Sequence, residues 1–227
     1  MACRVLYKLS ASPPAVSVMM LADLLNVEME QREVNWRAME HKAHQYLEMN
    51  PMGTIPVLKD GDFTISESHA ILKYLVQKYG GKHQEKLYPS EVELRAKVDE
   101  RLYFNAGLFF VRLKVVALPT LLQGLEGPTA QHLADIEAAY GMVEAYLQRH
   151  LFLAADHLTL ADFSVGTTAA FMQPIMKLNS EKFPRTAAWL SRLEGDSIFS
   201  KHINPAVALF DKTLHAFWGK NKKNNNN

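Results

Sequence analysis

One cysteine, Cys3, is the whole thiol inventory of this 227-residue chain. An intramolecular disulfide is excluded, and there is no Asn-x-Ser/Thr sequon, so a reducing, cytoplasmic setting is expected. An excess of charge is missing too. The 25 Lys and Arg residues face 24 Asp and Glu, for a formal charge of +1. Neither nucleic acid nor an anionic membrane surface is expected as a main partner. The apolar run from Ala15 to Leu25 is broken by Asp23 and follows Pro13-Pro14, so it does not read as a secretion signal. The stretch Leu108 to Leu122 carries Arg112, Lys114 and Pro119, so no membrane span is expected there. Also missing are a G-x-S-x-G elbow, a P-loop and a dinucleotide fingerprint. His41 and His44 stand at i, i+3 without an evident third ligand, and no metal is expected. Cys3 lies ahead of the first strand and reads as a structural thiol.

What is present is apolar content, 48% of the chain, enough for one large core or two modest ones. The first 80 residues alternate in type. RVLYKL (4–9) reads as a strand, SASPP as a turn, and Pro14 suits the first turn of a helix running to about Asn26. EMEQREVN (28–35) reads as a charged strand near an edge, and EHKAHQYLEMN (40–50) as a short helix. Two hairpin strands follow around Asp60-Gly61, then a helix from Glu67 to Tyr79 with Ile71, Leu72, Leu75 and Val76 at helical spacing. Beyond Gly80-Gly81 no convincing strand appears. Helices are expected over 91–118, 128–150, 160–178, 184–193 and 199–218. The organisation is thus an α/β domain (1–80), a linker (81–89), an all-helical domain (90–220) and a disordered tail (221–227). Thr159, three residues before Asp162, forms a capping box with Asp in the place of Glu, which serves folding.

Three stretches of the first domain could carry chemistry. A proline opening a strand, Pro56, belongs at an edge or a strand start. If its bond is cis, the backbone of Ile55 can face outward and pair with an extended peptide-like ligand; an ordinary trans proline at a turn remains the alternative. Glu67-Ser68 at a helix start offers amides and a hydroxyl to an anion and a carboxylate to an ammonium, which suits an α-amino acid head group; a routine cap is the alternative. The serines of LSASPPAV lie before a helix N-terminus, where thiolate is favoured over thiol and a hydroxyl can donate to sulfur; turn serines that cap a helix are the alternative.

Taken together these residues resemble the cytosolic glutathione transferases, nearest to the insect delta/epsilon group. The likeness rests on LSASPPAVSV, on NWRAMEHKAHQYLEMNPMGTIPVL, on ESHAILKYLVQKYG and LYP, and on VDERLYF, LTLADFS and FPRTAAWLSRL, so it spans about residues 4–195. It implies a thioredoxin-like α/β domain followed by the helical one, glutathione as co-substrate, and a homodimer. It assigns sulfur activation to Ser12 rather than Ser10. Glutathione binding falls to Ile55 and Pro56 for the cysteinyl backbone, to Glu67 and Ser68 with His69 alongside for the γ-glutamyl head, and to His41 for the glycyl end. Asp99 would come from the partner subunit to complete the head-group site. The expected reaction is conjugation of glutathione to small hydrophobic electrophiles, a detoxification chemistry, with a ligand-sequestering protein of the same fold as the alternative.

The chain departs from the family pattern at Gly53, where NPMGTIP stands for the usual NPQHTIP, and at Ala15-Val16, which replaces a common Cys-Arg pair. Losing a donor to the glycyl carboxylate is worth roughly 1.5–3 kcal/mol, about ten- to a hundredfold in affinity. The electrophile pocket is expected between Ser12 and the helical domain, lined by Phe110, Leu113, Lys114, Ala117 and Phe210, with Phe217 closing it.

Overall fold

A computed structural model describes residues 4–225; the Cys3 reading therefore lies outside the described residues. Strand β1 (Arg4–Lys8) leads into α1 (Pro13–Leu24), then β2 (Glu30–Glu33), a 3-10 turn (Glu40–Lys42) and α2 (His44–Met49). Strands β3 (Val57–Asp60) and β4 (Phe63–Ser66) form a hairpin, and α3 (Ser68–Tyr79) follows. The sheet order is β2-β1-β3-β4, with β1 and β2 parallel and the other pairings antiparallel. Every residue of β2 is exposed, so its charges guard the open edge as the sequence predicts. Asp60 pairs with Phe63, leaving a two-residue turn in which Gly61 takes φ +63, a conformation cheap only for glycine.

The linker stretch is itself structured, with a 3-10 turn (Gly81–His83) and a short α4 (Gln84–Leu87). The single long helix expected from residue 91 is α5 (Val92–Phe104), a π turn (Asn105–Phe109) and α6 (Phe110–Leu122). By length and composition alone Val92–Leu122 could cross a membrane. It instead packs against α7 (Ala130–Tyr146), α8 (Leu160–Met172) and α10 (Ser197–Asn225), and Arg112 on it pairs with Asp135 of α7. The π turn falls where buried Asn105 donates to the Ser164 carbonyl and hydroxyl oxygens on α8. Helix α9 (Pro184–Glu194) completes the chain's elements.

The disordered tail is corrected in part: α10 runs through Asn225. Asn221 is buried and donates to the carbonyls of Thr120 and Leu125, while Trp218 Nε1 donates to Thr120 Oγ1. The asparagine-rich composition hid a helix whose amides satisfy carbonyls at the end of α6. One hydrophobic cluster runs through both halves, from Leu6, Val16 and Met20 to Phe109, Phe163 and Trp189.

The capping box becomes the anchor of the helical half. Asp162 is fully buried, and its carboxylate accepts from Leu153 N, Thr159 N, Thr159 Oγ1 and Trp189 Nε1 at 2.9–3.0 Å. Burial pushes this carboxyl up from its ordinary value, and the four donors pull against that shift. Truncation leaves buried donors unpaired at about 1–3 kcal/mol each. The Asp162→Ala variant is therefore expected to lose at least about 3 kcal/mol in urea unfolding, and Asp162→Asn, which keeps one acceptor, distinctly less.

Candidate functional site

The register gathers the loops. Tyr7 pairs with Val57, and Val57 pairs with Ser66, so the end of β1, the start of β3 and the end of β4 share one side of the sheet. Because β2 runs parallel to β1, with Lys8 opposite Glu33, the segment carrying His41 leaves from the same side. Ser12, His41, Ile55-Pro56 and Glu67-Ser68 are thus brought to one edge by pairing alone.

The two serines of the first turn separate cleanly. Ser10 Oγ accepts from Lys8 Nζ at 2.6 Å and donates to Glu33 Oε2 at 2.8 Å, so it is committed to structure. Ser12 is the N-cap of α1, half-buried and extended, and its hydroxyl makes no bond to the helix it caps. Its carbonyl accepts from Val16 N. Pro13 and Pro14 fill the first two helical positions and have no N–H, so the Ser12 hydroxyl is the directional donor of this helix start.

The Ile55-Pro56 bond is cis. The ladder begins at Val57, and no loop or turn bond among the described residues engages the Ile55 backbone. The approach to it is rigid. Buried Asn50 donates to the Thr54 carbonyl and hydroxyl oxygens, Tyr46 OH also reaches the Thr54 carbonyl, and Met52 N donates to Asn50 Oδ1. An unpaired backbone segment held this way can serve as a template for an extended ligand.

Glu67 holds φ +68, a region rarely taken by a side-chain-bearing residue, with its carboxylate exposed and its carbonyl accepting from Ile71 N. Ser68 is buried at the first position of α3. This helix start keeps all its amides and has no acidic residue in its first turn, so it is open to a carboxylate. No sequence signal marks the positive φ; it is seen only in the backbone.

His41 lies on the 3-10 turn, half-buried, with Nδ1 buried and unpartnered. Burial and the neighbouring Lys42 cation both hold its pKa below the ordinary value, so it is neutral at physiological pH. His69 and Asp99 both make contacts within the chain. The His69 ring turns into the contact between the halves, with Nε2 2.5 Å from Ser164 Oγ and Asn105 Nδ2 beyond. Asp99 is paired within its own chain, 2.7 Å from Lys73 Nζ and accepting from Tyr88 OH.

The pocket expectation needs correction. Leu113, Ala117 and Phe210 are buried in the common core, and the Phe210 ring lies 5.3 Å from that of Phe171 on α8. Helix α10 packs on α6 and α8. Phe110 is half-buried against the core, and Lys114 is exposed. Phe217 does reach the first half: Arg37, on the loop after β2, lies 5.9 Å from its ring and 5.6 Å from that of Trp36. Trp36 and Arg37 lie in the NWRAMEHKAHQYLEMNPMGTIPVL stretch that carries the resemblance, but no role was assigned to either.

With the fold and the edge described, the likenesses to known proteins become specific. Residues 6–83 match the family model for the glutathione S-transferase N-terminal domain, and residues 126–192 match that for the C-terminal domain. The chain is 34% identical over 202 residues to glutathione S-transferase 1 of Manduca sexta, covering 88% of this chain and 92% of that protein. It matches an epsilon-class glutathione S-transferase from the housefly, Musca domestica, with a TM-score of 0.90 at 32% identity, over 94% of this chain and 98% of the other. It also matches a glutathione transferase homolog from Drosophila mojavensis with bound glutathione, with a TM-score of 0.90 at 32% identity, over 95% and 98% of the two chains. The chain belongs to the glutathione S-transferase family.

The part-buried His69 ring is held at about pKa 4, by desolvation first and then by Lys73. The unfolded chain takes up this proton near the ordinary 6.5, so between those values it binds more protons than the folded protein, and stability falls as pH drops through that window. His69→Gln should remove one proton's share of the slope, up to about 1.4 kcal/mol per pH unit, in urea midpoints measured from pH 6.5 to 4.

Proposed function

We propose that this protein binds glutathione along the edge from Ser12 to Ser68 and transfers its thiolate to small hydrophobic electrophiles, in the service of xenobiotic detoxification. The observation that carries the reading is the convergence of three complementary groups: a free Ser12 hydroxyl, an unpaired Ile55 backbone beside a cis proline, and the amide-rich start of α3 with Glu67. An extended tripeptide bearing a thiol and an α-amino acid head fits that set. The family membership and the matched structure with bound glutathione support it.

In this reading Ser12 donates to the sulfur and favours thiolate, with the α1 dipole adding to the effect. The sulfur attacks the electrophilic carbon, the new S–C bond forms as the bond to the leaving group breaks, and the thiol proton is released to solvent. The edge supplies position and the Ser12 hydroxyl supplies electrostatic stabilisation. Glutathione is a co-substrate, and no metal takes part. The segment from Trp36 to Arg37 with Phe217 forms one wall at which an apolar electrophile could enter. A homodimer in the cytoplasm belongs to the same reading.

Removing a hydrogen bond to a charged sulfur is worth roughly 1.5–3 kcal/mol. Ser12→Ala should lower kcat/KM for a chromogenic electrophile by about ten- to a hundredfold and diminish the ultraviolet thiolate absorbance of bound glutathione at neutral pH. Ser10→Ala should leave both readouts nearly unchanged. Equal activity of wild type and Ser12→Ala would sink the assignment.

A further inference from the structure

The turn that delivers Ser12 is held by little of its own. It spans residues 9–12, between β1 and α1. Among the described residues, no turn or loop bond between backbone groups starts or ends at Leu9, Ser10 or Ala11. Ala11 packs against the core, a contact that has no direction. The directional hold comes from the neighbouring strand. Glu33 of β2 accepts from Ser10 N through Oε1 at 2.8 Å and from Ser10 Oγ through Oε2 at 2.8 Å. Lys8 Nζ donates to Glu33 Oε2 and to Ser10 Oγ, both at 2.6 Å.

The parts of this brace depend on one another. Lys8 stands opposite Glu33 in the parallel ladder, so the two side chains share one face of the sheet. The Lys8 side chain is only 11% exposed, and a cation so enclosed needs a counter-charge; Glu33 is its one ion-pair partner among the described residues. Desolvation would raise the Glu33 carboxyl, yet Lys8 and then the Ser10 donors hold it below its ordinary value, so it is ionised with both oxygens engaged. Guarding a sheet edge requires only a carboxylate that points to solvent. This one turns back to a backbone amide two residues before Ser12.

We propose that Glu33, held in place by Lys8, is a positioning residue for the transfer reaction: it fixes the turn after β1 and so aims the Ser12 hydroxyl at the glutathione sulfur. The inference rests on the glutathione reading above and deepens it. On the helix side Ser12 is already stiff, because its carbonyl accepts from Val16 N and two prolines follow it. On the strand side it is stiff only while Ser10 is gripped. The grip that reaches the backbone is on the Ser10 amide, which Ser10→Ala keeps. A glutamine at position 33 offers one oxygen to the three donors and turns an NH2 toward them. A methionine at position 8 leaves the carboxylate on Ser10 but removes the cation that steadies it. A misplacement of about 1 Å can lower a rate by up to about a hundredfold.

The test is a double-mutant cycle. Glu33→Gln, Lys8→Met, Ser12→Ala and the two pairs with Ser12→Ala are compared with wild type. The readouts are kcat/KM for a chromogenic electrophile and the pH titration of the ultraviolet thiolate absorbance of bound glutathione, and urea unfolding reports whether each variant is folded. Glu33→Gln is expected to lower kcat/KM by about five- to tenfold and to raise the pH at which the bound thiol ionises; Lys8→Met should do the same less strongly. On top of Ser12→Ala neither change is expected to lower the rate further, because the brace acts through that hydroxyl. Equal losses in both backgrounds would mean that the pair serves folding alone, and would overturn the proposal. Wild-type rate and thiol ionisation in Glu33→Gln would overturn it too, with Ser12 and the glutathione site left standing. If Glu33→Gln does not fold, Lys8→Met decides by the same comparison. If Ser12→Ala itself matches wild type, the Ser12 assignment has failed and takes this inference with it.

Discussion

Tyr7 opposite Val57, and Val57 opposite Ser66, is the pairing on which the site depends. None of these three residues is proposed to touch a ligand. They decide that a turn after β1, a proline before β3 and a helix start after β4 come together, though the first and last lie far apart in sequence. A slip of one residue in either ladder would turn buried Leu6, Val57 and Leu58 toward the other face, so the core specifies the register and the register specifies the site. The proposed glutathione edge is in this sense a by-product of packing. It is positioned by groups whose own role is to stay dry.

The second half of the molecule steadies that edge through polar contacts set inside an apolar core. Asp162 orders the start of α8, and two residues on Ser164 meets both Asn105 and His69. His69 is the second residue of the helix whose start faces the proposed head group, so the contact ties α3 directly to α8. On the other flank Asp23 of α1 accepts from Lys201 and His202 of α10. Lys201 first, and then His202, holds this carboxyl below its usual range despite burial. Both helices that begin at the site are therefore clamped to the helical half, α3 within its first turn and α1 near its end.

The sequence was most legible where local chemistry is obligatory. Pro14, the Asp60-Gly61 turn, the charged β2 edge and the capping box at Thr159 each follow from a backbone or solvation rule, and each stands in the structure. The choice of Ser12 over Ser10 came from resemblance; in the structure Ser10 is hydrogen-bonded to Lys8 and Glu33. What was not legible depends on distant neighbours. Leu113, Ala117 and Phe210 looked like pocket residues because helical spacing does not tell a core face from a cavity face. The position of His69 in the motif says nothing of where its ring turns, which is toward Ser164. The asparagines near the end looked disordered because composition does not reveal that Asn221 meets two carbonyls about 100 residues away.

Two helices begin side by side at this edge, and they present different faces to an anion. The start of α3 keeps its amides. The start of α1 opens with Pro13-Pro14, and its first amide is that of Ala15. Oxyanions are hard, strongly hydrated and demanding: a carboxylate or phosphate leaving water needs several donors to replace those it gives up. Sulfur anions are larger and less tightly hydrated, and one hydroxyl within a favourable field serves them better than it serves an oxygen. A cell holds many small oxyanions in solution. In the proposed reading, the two prolines give those competitors little to hold beside Ser12, while the neighbouring helix start is left for the one carboxylate that arrives attached to a thiol.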